Sequence, residues 1–352
     1  MTVPALPTPL PPETEEPRDS ISWRRRLPRR RELAPLIRQS RARLLDFSRG
    51  IQPPPSASDH LGNALYGAAQ PLLGARILLR DPQLLREAFV PAGWLALACA
   101  AYALISAKSG APIPDHFKTF YKAFAALAVA PPILFGNHYA RLAQQARIKL
   151  GFGACGPREA SLWFFAKRSL QSLILVALAA WPLAIFQHVP VLGLAAGAAL
   201  LLWGLHWVVV DALDDARILL PGETLAAAEA AGAANAPPPW FVREFYRFES
   251  MLLEFPLVPS IVPWAVRKFA LACDKLSTPW REEIELFEKN RAIGFGFAIA
   301  TTVLLAVPGL NLLFRPIIII AASHLLGQLE PGEPEHGHPG AGHAITDSAG
   351  PL

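Results

Sequence analysis

Residues 169–210 read SLQSLILVALAAWPLAIFQHVPVLGLAAGAALLLWGLHWVVV, forty-two positions without one Asp, Glu, Lys or Arg. As one straight helix this stretch would reach about 63 Å, twice the roughly 30 Å of a bilayer's hydrocarbon core. It must therefore fold back, and the polar break Gln187-His188-Val189-Pro190 near its middle marks the turn. The pattern predicts a helical hairpin of residues 169–187 and 191–210, and with it an all-α, polytopic membrane helical bundle.

Working outward, twenty uncharged residues, AFVPAGWLALACAAYALISA, lie between Glu87 and Lys108 and predict a first span over 88–107. Eighteen more lie between Lys122 and Arg141, with Pro131-Pro132 in the middle. Proline kinks a membrane helix but is tolerated where neighbours satisfy the freed carbonyls, so a kinked span is predicted over 123–140. Towards the C-terminus, two apolar runs, 292–307 and 310–326, flank Pro308-Gly309. They reach only about 24 and 25 Å at 1.5 Å per residue. Two arrangements fit: a hairpin that enters and returns, or a single crossing over 294–314 ended by Arg315.

The composition of the 352-residue chain agrees with a membrane bundle. Hydrophobic residues make up 52% and charged residues 17%, against roughly 25% charged in soluble domains. Mean hydropathy is +0.30 even though both ends are polar. Cys99, Cys155 and Cys273 are far apart with no Cys-x-x-Cys, so neither a disulfide framework nor a zinc site is expected.

Charge is unevenly placed. Before Ala88 there are fourteen arginines and no lysine, and residues 1–60 hold eleven prolines. Such a segment cannot bury enough apolar surface to offset its ordering entropy, so 1–60 is expected to be a disordered basic arm. It has no apolar region with a cleavage site and is not a signal peptide. The Gly/Pro/His-rich residues 328–352 read as a disordered tail. Basic residues also collect in 141–168, which holds six, and after Val210, where nine precede Ala292. The positive-inside rule then puts both termini, 141–168 and 211–291 in the cytoplasm. A multi-pass protein of the cell membrane, the inner membrane of a bacterium, is the expected setting.

Residues 61–216 form the first part of the membrane domain and 217–278 a cytoplasmic or interfacial insert, opened by an Ala/Pro linker over 226–239. Phe241, Phe245, Phe248 and Leu252 then recur at helical spacing, which fits an amphipathic helix lying in the interface or one packed on the bundle. Thr278 as N-cap with Pro279 behind it starts a further helix that runs on into Ala292. Residues 279–327 thus comprise a helix and the last apolar region.

The C-terminal residues carry a more specific pattern. Asn290-Arg291, Gly294-Phe295-Gly296, Pro308-Gly309-Leu310-Asn311-Leu312 and Pro316 followed by four isoleucines resemble the etoposide-induced protein family, which includes the bacterial CysZ-type sulfate permeases. Thr278-Pro279-Trp280-Arg281 and the aspartate-rich exit Asp211, Asp214, Asp215 are also similar, and the resemblance covers about 67–215 and 277–327. It implies long crossing helices with partly penetrating helical hairpins, and so a hairpin for the last region. It also implies an anion site, because a Gly-Leu-Arg segment after a proline contributes to sulfate binding in the permeases. The matching stretch here is Pro82-Gln83-Leu84-Leu85-Arg86. Gln83 replaces the glycine, Leu85 replaces the first arginine, and the 217–278 insert exceeds the permeases' short connection.

Candidate solute-binding residues are Arg86 with Arg80 and Arg76, one helical face above it. The alternative is that they snorkel and set topology. Pro308, Asn311, Pro316 and Arg315 form the hairpin motif. There Asn311 can bond carbonyls freed by the break, and Arg315, a charge at membrane depth, invites a functional reading. His206 between Trp203 and Trp207 fits an aromatic belt, as does Asn137-His138. Asp211, Asp214 and Asp215 fit either a cation site or pairing with Arg217 or the 141–168 basic residues. His336 and His338 have metal-ligand chemistry but no fixed geometry, so no metal site is assigned. Phosphate loops, nucleophile–base pairs and helical metal ligands are absent from the sequence, which argues against an enzyme, and no cofactor is expected. The expected partners are anionic lipid headgroups, a small inorganic anion and a second copy in a homo-oligomer, with no nucleic acid. Two functions follow: a permease for a small oxyanion such as sulfate, or a non-transporting membrane-organising scaffold that uses its arm and insert.

Overall fold

The computed structural model describes residues 30–106, 113–127, 131–153, 155–188, 190–219, 222–306 and 311–330. Every regular element among them is helical apart from one isolated antiparallel bridge, Gly156 to Leu219. The chain divides into two compact units, residues 1–40 and 41–352. The first is described only from residue 30, where α1 (Arg30–Phe47) begins. There follow α2 (His60–Arg80), α3 (Pro82–Ser106), α4 (Ile113–Leu127), the single turn α5 (Pro131–Leu134), α6 (Gly136–Lys149), α7 (Leu162–Phe186) and α8 (Pro190–Asp215). Then come α9 (Leu225–Asn235), α10 (Trp240–Leu253), α11 (Ile261–Ser277), a 3₁₀ turn over Thr278–Trp280, α12 (Arg281–Lys289), α13 (Arg291–Leu305) and α14 (Asn311–Leu329).

Two helices, α3 and Leu192–Asp215 within α8, are long and apolar enough to cross a membrane. The expected hairpin is there as α7 and α8, which pack on each other on either side of the Gln187-His188 turn. Ser161 starts α7 by accepting from the Phe164 amide at 3.2 Å, which satisfies one of the first-turn N–H groups.

The central helix is α2, which the sequence reading did not count among its spans. It lies against both α13 and α14. Glycine makes this possible. A Cβ on Gly67 would strike the Ile293 carbonyl, one on Gly296 would strike the Ala64 carbonyl, and one on Gly74 would come within 2.5 Å of the Ile317 oxygen. Small residues at such crossings let backbones approach closely. One core cluster joins Tyr66, Leu213, Phe297 and Leu325, and a second joins Leu84, Leu142, Ile319 and Ile320. The four isoleucines after Pro316 thus serve both, and α14 is buried on opposite sides.

Several expectations are corrected. The kinked span over 123–140 is not one helix: among the described residues it is interrupted at Phe135 (φ −118°, ψ 18°), between α5 and α6, while 128–130 lie outside them. The helix α4 packs along α3. The arm is not irregular through residue 60, because Arg30–Phe47 are helical. Phe47 stacks edge-on with Tyr66 at 5.5 Å, and the Tyr66 hydroxyl donates to the Gln52 carbonyl at 2.9 Å. The 226–239 linker is largely the helix α9, as its alanines favour. Thr278 is not an N-cap: its hydroxyl donates to the Asp274 carbonyl at 3.1 Å, and α11 continues directly into the 3₁₀ turn. The helix after it is broken at Asn290 instead of running into Ala292. Pro308 and the tail from residue 331, with His336 and His338, lie outside the described residues.

Candidate functional site

The anion site expected at Arg76, Arg80 and Arg86 does not assemble on one helical face. Pro82 disfavours a helical conformation at the residue before it, and Asp81 is extended (φ −112°, ψ 107°). Arg76 and Arg80 therefore end α2 while Arg86 belongs to α3. The Arg76 guanidinium donates to the Arg49 carbonyl at 3.0 Å, whereas Arg80 and Arg86 are exposed.

At the start of α3, the amides of Gln83 and Leu84 donate to Asp81 Oδ1 at 2.9 and 3.1 Å. These are the N–H groups a bound oxyanion would use at a helix N-terminus, and the chain's own carboxylate takes that place. Lys149, at the end of α6, bonds the other Asp81 oxygen and also Gln83 Oε1. The Lys149 hydrogen bond, with those of the Leu84 and Gln83 amides, holds the Asp81 carboxyl below its usual range.

The residues that do come together lie where α8 leaves the bundle. Asp214 accepts from Arg168 Nε at 2.7 Å and Nη2 at 2.6 Å, from Arg158 Nη1 at 2.6 Å, and from the Trp280 indole at 3.1 Å. Glu229 of α9 shares the same two arginines, 2.7 Å from Arg168 and 3.5 Å from Arg158. Arg168 also donates to the Pro279 carbonyl at 2.7 Å and lies 5.0 Å from the Trp280 ring centre. This two-pronged grip joins α7, α8, α9 and the 3₁₀ turn. Asp211 and Asp215, on the same exit, pair with Arg315 of α14. Asp214 thus meets the 141–168 basic residues as the pairing reading expected. Arg217 turns away to Glu282, Glu283 and Glu330. Burial works against the Arg217 charge, but Glu283, Glu330 and Glu282 outweigh it and hold its proton more tightly than usual.

These clusters set five arginines against seven carboxylates. Two cavities of about 30 Å³ flank Asp214 and Asp215, room for about two waters each. The arrangement's chemistry is that of a clamp: ion pairs, buried at Asp214, Arg158 and Arg168, that hold the ends of several helices in register.

Of the hairpin motif, Pro316 is buried inside α14 and Arg315 is paired; Asn311 opens the same helix. His206 is enclosed by aromatic rings, 4.8 Å from Phe287 and 5.9 Å from Trp203, so it sits in an interior cluster instead of a surface belt. Asn137 accepts from the Ala160 amide at 2.9 Å, and His138 lies 3.8 Å from Glu87. The sequence reading missed Glu229, Glu282, Glu283 and Glu330, and it missed the buried pair Gln70 and His324, whose facing atoms are 2.7 Å apart. A signal for the pair existed: Gln70 is the strongly polar residue of an otherwise apolar stretch of α2, and His324 that of α14. No family model, no curated protein and no solved structure matches the chain.

Proposed function

We propose that this is a multi-pass membrane protein with an organising, non-transporting role, its ion-paired end in the cytoplasm and its apolar helices in lipid. Supporting the membrane setting, α3, α7, α8 and α13 turn large apolar side chains outward, among them Trp94, Leu104, Leu173, Trp181, Leu194 and Val303. An apolar surface of that extent on a lone soluble chain would be an aggregation site. The basic residues of 1–60, 141–168 and 211–291 support a cytoplasmic side for the clamp by the positive-inside rule.

The observation that carries the organising role is Asp81 on the α3 amides. In the resemblance to the CysZ-type permeases that is where the anion contact belongs, and here an internal carboxylate neutralised by Lys149 occupies it. The rival reading, an oxyanion permease, is favoured by the Pro308, Asn311, Leu312 and Pro316 spacing. Flux through purified protein in vesicles decides between them. The organising role predicts no uptake of sulfate, sulfite or phosphate above protein-free vesicles, and saturable flux of any of the three overturns it. Release of the protein from native membranes by alkaline carbonate would overturn the membrane setting itself.

A further inference from the structure

The insert over 217–278 is not a surface appendage. Phe241 and Val242 of α10 and Cys273 of α11 are buried in one cluster with Leu175 of α7 and Trp203 and Trp207 of α8. Phe245 and Phe269 close the two insert helices on each other, ring centres 4.9 Å apart. The apolar stripe expected to lie on a membrane surface is thus partly spent on packing, through Phe241 and Phe245, while Phe248 stays exposed. What remains uncovered is the tip. From Ser250 to Ala265 the chain reads SMLLEFPLVPSIVPWA, with Glu254 its one charge. Leu253, Phe255, Leu257, Ile261 and Trp264 are all more than half exposed, Leu257 at 95%.

Resting on the membrane reading above, the geometry points to a third lipid contact: the α10–α11 tip dips into the interfacial layer of the bilayer, its apolar side chains among the acyl chains. Three observations select lipid as the occupant. The first is backbone satisfaction. The amides of Glu254, Phe255, Val258, Val262 and Trp264 all donate to carbonyls within the hairpin, and Pro256, Pro259 and Pro263 have no N–H to satisfy. A loop that leaves few donors open suits a medium without water. The second is charge. Arg247, Arg267 and Lys268 are exposed one to two turns back from the tip, at the height where anionic phosphates would sit if Leu257 were buried, and Trp264 is of the type that anchors at that boundary. The third is position. The root of the hairpin packs on Leu175 of α7 and on Trp203 and Trp207 of α8, the helices that also turn Leu173, Trp181 and Leu194 outward.

The test uses the full chain in vesicles of phosphatidylcholine and phosphatidylglycerol, with Cys155→Ser to remove the half-buried thiol and an environment-sensitive dye on Leu257→Cys. The expected result is a blue shift and loss of emission to lipids carrying a nitroxide on the acyl chain, with no loss to aqueous iodide. A dye on Lys268→Cys should respond to a headgroup nitroxide instead. A dye on Leu104→Cys of α3 reports on the membrane reading independently. If α3 is quenched by acyl-chain nitroxide and Leu257→Cys is quenched by iodide, the tip proposal fails while the membrane reading stands. If neither responds to lipid quenchers, both fail. A tip dye shielded from iodide and from both nitroxides means that protein, such as a second copy, covers it, and this also overturns the proposal.

Discussion

Gln70 and His324, 254 positions apart, face each other inside the bundle with Oε1 and Nδ1 separated by 2.7 Å. Gln70 also donates to the Tyr66 carbonyl at 3.2 Å, while His324 Nε2 has no partner among the described residues. Gln70→Leu would leave a second ring nitrogen unpaired and should cost about 1–3 kcal/mol. Replacing both residues by leucine removes the unmet polarity and should recover much of that loss. Thermal unfolding in detergent, followed by circular dichroism, reads the difference. A double variant no more stable than Gln70→Leu would show that the pair is not the source.

The clamp makes an asymmetric prediction. Asp214→Ala strands two buried arginines, and breaking such a pair costs about 3–5 kcal/mol. Glu229 meets the same arginines, but its side chain is 36% exposed, so Glu229→Ala should cost less than about 1 kcal/mol. Equal shifts in unfolding temperature for the two variants would contradict the assignment of Asp214 as the centre.

Glycine substitutions should sort by backbone approach. Gly296→Ala and Gly67→Ala place a Cβ against the carbonyls of Ala64 and Ile293, whereas a Cβ on Gly93 of α3 meets nothing within 4 Å. Gly93→Ala should be neutral or stabilising by up to about 1 kcal/mol from helix propensity. The other two should reduce the monodisperse fraction on size exclusion. A normal elution profile for Gly296→Ala would mean that α2 and α13 separate without cost.

The Asp81 tie is pH-dependent in a known direction. Lys149 holds the carboxyl below the usual aspartate range near about 4. A depressed acid contributes stability that is fully present above the unfolded-state value and is lost as pH falls through the folded one. The unfolding temperatures of wild type and Asp81→Asn should therefore differ at pH 7 and converge on acidification. A gap that widens towards acid pH would reverse the sign and refute the account.

Truncation separates the arm from the bundle. Removing residues 1–40 leaves Phe47 and Gln52 on Tyr66, whereas removing 1–55 takes both away. The shorter deletion should keep the wild-type melting curve and the longer one should lower it. A peptide of residues 18–49 should bind anionic vesicles at low salt and release at high salt, since screening confines the attraction to roughly 8 Å at physiological ionic strength. Equal binding to neutral vesicles would exclude an electrostatic anchor.

Helical class, the α7–α8 hairpin and the α3 helix could all be read from the chain, because hydropathy over a few turns and proline chemistry act between near neighbours. Where a local signal was misjudged, as in the alanine-rich α9, propensity explains the outcome. The identity of α2 as the central helix was hidden. Its importance lies in Gly67 and Gly74 meeting backbones more than two hundred residues away, and a glycine's value there depends on which helix arrives. The same holds for Asp214, which pairs with Arg158 and Arg168, and for Asp211 and Asp215, which pair with Arg315. Three aspartates on one helix exit look alike along the chain, and only the register in which α7 and α14 pack divides them between partners. An anion site could likewise be expected from an arginine after a proline. That the Gln83 and Leu84 amides are already taken follows from the rotation of Asp81 at the α2–α3 corner and from Lys149 reaching it from α6, a conjunction that no single stretch of chain contains.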